Sequence, residues 1–246
     1  MFKHEIVVSM HIPKTGGVTL KNILSDVYGE GFLWFTETNS ARYTFERLRG
    51  YFKEEPSRDI KCIHGHIGYG IHKYLETIGI GCKYILFTRP IGDRLLSYYN
   101  YIMTEAVKSH YNWEDRFGWE DGISFMDWIS SCKMADQDNS LTRFLSGCEN
   151  LNTDPTKYRM CREDYILATE NSKNLSFVGS ISNFDTEIER LANTLSWEHI
   201  PKYGRDNAYP DHRYSKDLTN EELDLINETQ RFDIALYNNK LKKVTQ

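Results

Sequence analysis

The run Glu5 to Met10 (EIVVSM) is apolar and rich in β-branched side chains, which fits a buried strand, and it breaks at Pro13 and the Gly16-Gly17 pair. An amphipathic pattern predicts a helix after it, from about Val18 to Tyr28. Two more strands are predicted over Ile60 to His64 and Lys83 to Thr88, the latter (KYILFT) closing on Arg89-Pro90. Proline suits a first helical turn because its missing N–H is not needed there, so a helix is predicted from Pro90 to about Val107. The acidic, aromatic stretch from Ser109 to Gly122 reads as a loop. Helical patterns resume over Ile123 to Lys133, Ser140 to Leu145 and Arg162 to Ser172. A fourth strand, Ser176 to Gly179 (SFVG), precedes an amphipathic stretch from Asp185 to Leu195. Ser196 to Ser215 contains Pro201, Gly204 and Pro210 and reads as a long loop, and a helix is predicted from Thr219 to near Lys240.

Strands separated by helical segments need crossover connections, so the expected fold class is α/β, with a central, mainly parallel sheet flanked by helices. Ligands of such sheets bind beyond the carboxyl ends of the strands. No repeat, low-complexity tract or linker divides the chain, and one domain spanning residues 1–246 is expected.

Composition narrows the function. Thirty Lys and Arg against thirty-five Asp and Glu give a net charge of −5. Nucleic-acid binding draws most of its affinity from a basic excess, so no nucleic-acid partner is expected. Two or three cations at one point still outweigh a diffuse negative surface locally. The longest stretches free of Asp, Glu, Lys and Arg, Cys62 to His72 and Asn174 to Phe184, are 11 residues each, short of the roughly 20 a membrane span needs. No span and no signal peptide are read, and a cytoplasmic location is expected. Five cysteines without a CxxC pair point to reduced thiols, mostly buried. Nothing in the sequence sets an oligomeric state.

Directly after the first strand stands His11-Ile12-Pro13-Lys14-Thr15-Gly16-Gly17-Val18-Thr19-Leu20. Two glycines let backbone amides turn inward, the following helix brings its unsatisfied N–H groups and positive dipole end, and Lys14 adds a full charge. Together they make an anion cradle, to which Thr15 and Thr19 add hydroxyl donors; the alternative is a plain strand-to-helix turn with a solvated lysine. In the nucleotide P-loop GxxxxGK[ST] the lysine follows the last glycine, whereas Lys14 precedes Gly16 and Gly17. The third strand leads into Arg89-Pro90-Ile91-Gly92-Asp93-Arg94-Leu95-Leu96-Ser97. Leu95, Tyr98, Tyr99 and Ile102 fall at helical spacing on the core side, and Ser97 lies away from them, close to the Arg94 side. The plain readings are a solvent-facing serine and a surface ion pair between Arg94 and nearby acids.

The order PKTGG after a strand resembles the 5'-phosphosulfate loop of sulfotransferases that use 3'-phosphoadenosine 5'-phosphosulfate (PAPS), and an Arg followed eight residues later by Ser resembles their 3'-phosphate anchor. The resemblance implies the P-loop-like sulfotransferase fold. It also implies that Lys14, Thr15, Gly16, Gly17, Val18 and Thr19 hold the 5'-phosphosulfate, with Lys14 on the bridging oxygen, and that Arg89 and Ser97 hold the 3'-phosphate. Val18 departs from the hydroxyl residue common in related loops.

The second predicted strand ends in Ile63-His64-Gly65-His66-Ile67-Gly68-Tyr69. Sulfo transfer to an alcohol needs a base for the hydroxyl proton, and histidine has the pKa for it near neutrality. The alternatives are a metal site, for which the HGH pair has no clear third ligand nearby, and hydrogen-bonded core histidines. The HGH element resembles that of heparan sulfate 2-O-sulfotransferase and its uronyl relatives, which implies His66 as general base with His64 in support. Asp138 to Gly147 (DNSLTRFLSG), Phe177-Val178-Gly179 and Phe232-Asp233 through Tyr237 look like further landmarks of carbohydrate-type sulfotransferases. The expected activity is metal-free transfer of a sulfo group from PAPS to a hydroxyl-bearing acceptor, a sugar, glycoside or small molecule. The competing readings are a P-loop kinase or NTPase with a degenerate loop and a non-catalytic nucleotide-binding module. The basic stretch Lys202 to Lys216 is read either as a closure over the nucleotide or as a solvated loop.

Overall fold

A computed structural model of the chain describes residues 4–35, 48–52, 59–104, 122–147, 153–204 and 215–241. Five strands, β1 (His4–Met10), β2 (Phe32–Phe35), β3 (Cys62–Gly65), β4 (Ile80–Thr88) and β5 (Leu175–Ser180), form one sheet in the order β2-β3-β1-β4-β5. Every pairing is parallel. The expected α/β class therefore holds.

The sheet is covered on both faces, which is why β1 reads as a continuous apolar run rather than an alternating one. Successive side chains of a strand point to opposite faces. Ile6, Val8 and Met10 join one core and Val7 the other. On the Val7 face lie α1 (Gly17–Tyr28) and α7 (Phe184–Leu195), through Leu20, Ile23, Leu24, Ile188 and Leu191. The opposite face carries α3 (Ile91–Ile102), α4 (Phe125–Ser131), α5 (Ser140–Ser146), α8 (Asn220–Thr229) and α9 (Arg231–Leu236), after a short α2 (His72–Thr77). Helix α6 (Arg162–Ser172) matches its predicted bounds and runs into β5.

Four elements differ from the sequence reading. The edge strand β2 and the six-residue α2 carry too few residues for a periodic signal. The helix predicted from Pro90 ends at Ile102, and the part of it beyond Thr104, like the loop from Ser109 to Gly122, falls largely outside the described residues. The helix predicted from Thr219 is broken at Gln230, a fully buried residue at φ −110° and ψ 25°. Its side-chain amide donates to the Gln137 carbonyl at 2.6 Å and accepts from the Asn139 amide at 3.1 Å. That pair of bonds is a tertiary event, invisible to local pattern.

From β1 the chain crosses through α1 toward the β2 edge, and from β4 it crosses through α3 toward β5. The crossovers leave these two neighbouring strands in opposite directions, which opens a crevice beyond their carboxyl ends. His11 to Gly16, His66, Arg89 and Ile181 all lie at that edge.

Candidate functional site

The β1–α1 loop is held in a shape that turns amides outward from the strand end. Lys14 has φ 71° and Gly16 φ 76°, with the intervening Thr15 on the ordinary side, so the sign of φ alternates along the loop. Such alternation gathers N–H groups into an anion-binding concavity. Lys14 holds a conformation that is costly for a residue with a Cβ. The Thr15 hydroxyl donates to the Ile12 carbonyl at 2.7 Å and is buried. It staples the loop, which corrects the expectation that it supplies a free donor. Val18, the departure from the family pattern, is 42% exposed. The Gly16 N-cap makes no side-chain cap bond, and the first turn of α1 holds no acidic residue. Its leading amides and positive dipole end are left uncompensated by the helix itself.

Arg89 arrives at the same place from β4. Its Nη1 donates to the Lys14 carbonyl at 3.4 Å. Both side chains are partly buried, and no carboxylate forms an ion pair with either among the described residues. Burial, and then the Arg89 guanidinium, push the Lys14 ammonium down to about 8. Arg89 is itself lowered by burial and by Arg94, with Asp93 opposing. The Lys14 Nζ rests 4.4 Å from the centre of the Tyr101 ring. Ser97 is partly exposed on α3 and lies one turn before Tyr101, so the two share a helix face. The face bearing Ser97 is thus the one that Lys14 reaches. Arg94, by contrast, is only 2% exposed and donates from Nη2 to the Asp136 carbonyl at 3.0 Å. Among the described residues it forms no surface ion pair.

The two histidines of the HGH element fall into different roles. His64 is buried; its Nε2 meets the Gly17 carbonyl at 3.2 Å and its Nδ1 the Ser9 hydroxyl at 2.8 Å. A carbonyl only accepts, so Nε2 carries the hydrogen and Nδ1 accepts from Ser9. Burial, and then His66 and Lys21, hold this ring down to about 3, against the Gly17 bond. His66 Nδ1 lies 2.9 Å from the His11 carbonyl, so Nδ1 carries the hydrogen and Nε2 keeps its lone pair. Among the described residues Nε2 has no hydrogen-bond partner. Burial lowers the His66 pKa, with Asp136 and the His11 bond opposing. At pH 7 the ring is neutral.

The sequence reading passed over His11 and Asp136. Met10 pairs with Gly65 in parallel register, so His11 and His66 are the equivalent next residues on neighbouring strands. Their rings stack at 4.7 Å and 21°, and His11 also stacks on His64 at 5.3 Å and 16°. In-plane lone pairs of stacked rings do not converge on one point. No group of three or more His, Cys, Asp or Glu among the described residues has the arrangement to hold a metal ion. Beyond Pro90 a cleft of about 520 Å³ opens between Ser180, Asn183, Asn227 and Tyr237, with apolar walls from Ile91 and Ile226. The landmark segments at Asp138 and at Phe232-Asp233 are structural: Asp233 accepts from the Leu141 and Thr142 amides, and Asn139 accepts from the Phe232 and Asp233 amides. Most of Lys202 to Lys216 lies outside the described residues, as does Cys148. Of the four described cysteines, all free, Cys62 and Cys132 are buried. No described helix is long and apolar enough to cross a membrane.

No protein-family model and no curated protein matches the sequence. Sixteen chains of solved structure match the fold. One is a crystal structure of mouse sulfotransferase SULT7A1 complexed with PAP, similar over 93% of this chain and 84% of that one, at 12% identity and a TM-score of 0.46. A similarity of that grade says nothing of what this chain binds or does.

Proposed function

We propose that the chain is a PAPS-dependent sulfotransferase acting on a hydroxyl of a carbohydrate or small-molecule acceptor. The observation that carries this reading is the convergence of Lys14 and Arg89, two partly buried cations that follow different strands, the guanidinium adding to burial in lowering the proton affinity of the ammonium, with no ion-paired carboxylate among the described residues. An anion between or beside such a pair offsets the repulsion and the lost hydration of its charged form. The residues fit a ligand with phosphate at both ends of an adenosine. Lys14, with the backbone of Thr15, Gly16, Gly17, Val18 and Thr19, takes the 5'-phosphosulfate. Arg89 and Ser97 take the 3'-phosphate, for which the guanidinium fork suits a dianion. The neutral amide and hydroxyl groups of the cleft beyond Pro90 suit the nucleoside.

In the reaction the acceptor hydroxyl gives its proton to His66 Nε2 while its oxygen forms a bond to sulfur. The bond from sulfur to the bridging phosphate oxygen breaks, the electron pair stays on that oxygen, and Lys14 and the loop amides stabilise the charge. The products are a sulfate ester, 3'-phosphoadenosine 5'-phosphate (PAP) and a protonated His66. His64, with both nitrogens occupied, supports the site and takes no proton. Charge on a transferring sulfo group is lower than on a phosphoryl group, so lysine and backbone donors suffice for the leaving phosphate.

The test is a labelled-donor assay across a panel of hydroxyl acceptors, with calorimetric PAP binding as control. His66→Ala is expected to lower turnover by roughly 10²–10⁴-fold with PAP affinity nearly intact; an unchanged rate removes His66 from the chemistry. Arg89→Ala is expected to weaken PAP binding far more than binding of a nucleotide lacking the 3'-phosphate, and equal losses contradict the anchor assignment. Magnesium-dependent binding of ATP in preference to PAP would instead mark a kinase-like enzyme.

A further inference from the structure

His11 has no role in the reading above, yet it touches both histidines of the HGH element and the start of α1. Its carbonyl accepts from His66 Nδ1, its ring lies flat against both His66 and His64, and its amide donates to the Gly65 carbonyl at 2.8 Å. The ring also sits so close over Gly17, the first residue of α1, that a Cβ there would collide with the imidazole. Gly17 in turn accepts from His64 through its carbonyl. The three imidazoles and the opening of α1 therefore form one packed unit, and Lys14 and Lys21 bear on it electrostatically from the loop and from α1.

We propose that His11 is a positioning residue for the base: its ring, wedged against His64 and the bare face of Gly17, holds the His11 backbone carbonyl against His66 Nδ1, so that the ring rather than the carbonyl alone keeps the His66 tautomer and ties His66 to the nucleotide loop. The inference rests on the reading of His66 as the proton acceptor. The loop between β1 and α1 holds His11 at one end and Gly17 at the other, so the ring contact joins both ends of that loop to the base. The charged and titratable groups facing His66 are His11 on β1's end, His64 on β3 and Asp136 before α5, and those facing His11 add Lys14.

The first measurement needs no substrate. Imidazole nitrogen and carbon resonances of the free protein report each tautomer and titration. In the wild type His66 is expected as the Nδ1–H form and His64 as the Nε2–H form, both titrating below 6.5. In His11→Ala the His66 resonance is expected to become a tautomer mixture that titrates closer to 6.5, while His11→Gln, whose planar amide still fills the slot, stays near the wild type. An unaltered His66 in His11→Ala overturns the inference, whatever the reaction proves to be. The second measurement is turnover. His11→Ala is expected to lower kcat by about 10–100-fold, as a displaced base does, with KM for the donor changed less than threefold and the acid limb of the pH profile moved upward. Gly17→Ala, which pushes on the same ring, is expected to lower kcat similarly, and the double variant no further than either one. Additive losses mean that the two residues act separately and refute the coupling. A wild type that binds PAP but transfers nothing sinks the sulfotransferase reading, and the resonance outcome still decides the role of His11.

Discussion

Lys14 illustrates how much a single side chain is set by its neighbours. In a solvated turn its ammonium would stay charged to above pH 10; beside Arg89 and partly buried it loses its proton near 8. An anion bound between the two cations favours the charged form. PAP affinity is therefore expected to fall as pH rises through 8, and binding at pH 8.5 to take up a proton, read from calorimetry in buffers of different ionisation enthalpy. A flat affinity from pH 7 to 9.5 would place the anion elsewhere. The motif residues at this scale were open to sequence reasoning because strand-end lysine, arginine and histidine are poor packing material. His11 escaped it, being one histidine before a more eloquent motif, and only the register of β1 against β3 gives it meaning.

Helix α5 shows the same dependence one level up. It has only seven residues, and the Asn139 side chain does not cap it. Its leading amides are satisfied by Asp233 of α9, and the buried Asp138 just before it pairs with Arg143 at 2.6 Å while accepting from the Met160 amide at 2.8 Å. Removing one partner of such a pair leaves the other charge buried and unpaired. Asp138→Ala is expected to destabilise the fold by about 3–5 kcal/mol in denaturant unfolding, with PAP affinity of the folded fraction little changed. A loss below about 1 kcal/mol would mean that Arg143 finds another partner. The long helices α1 and α7 were legible from spacing alone, since each presents its own apolar stripe to the sheet. Segments such as β2, α2 and the break at Gln230 are defined by partners distant in sequence, and no local pattern announces them.

Across the whole molecule, the parallel sheet collects the candidate chemistry on one edge and encloses it. One cost of that enclosure is a histidine cluster that resists protonation. His64 is neutral down to about 3 in the folded protein, whereas in the unfolded chain it takes a proton below about 6.5. Between these limits the unfolded state binds the extra proton, so stability falls as pH falls, by up to about 1.4 kcal/mol per pH unit from this residue; His11 and His66 act in the same direction. Unfolding free energies at pH 6.5 and 5 are expected to differ less in His64→Asn than in the wild type. An equal slope in both would show that His64 is charged in the folded state.

The sequence by itself determined the alternation of strands and helices, hence a parallel sheet with its loops sorted to two edges, and the residue types that gather at one of them. Apolar periodicity and turn residues act locally, so a single chain read in order contains them. Tertiary structure alone decided that Lys14 and Arg89 meet, that Arg94 and the Thr15 hydroxyl turn inward, and that His11 completes a stack of three imidazoles. Each of those outcomes depends on strand order and register, which are set by which long-range packing excludes most water, and that choice is made by the folded whole.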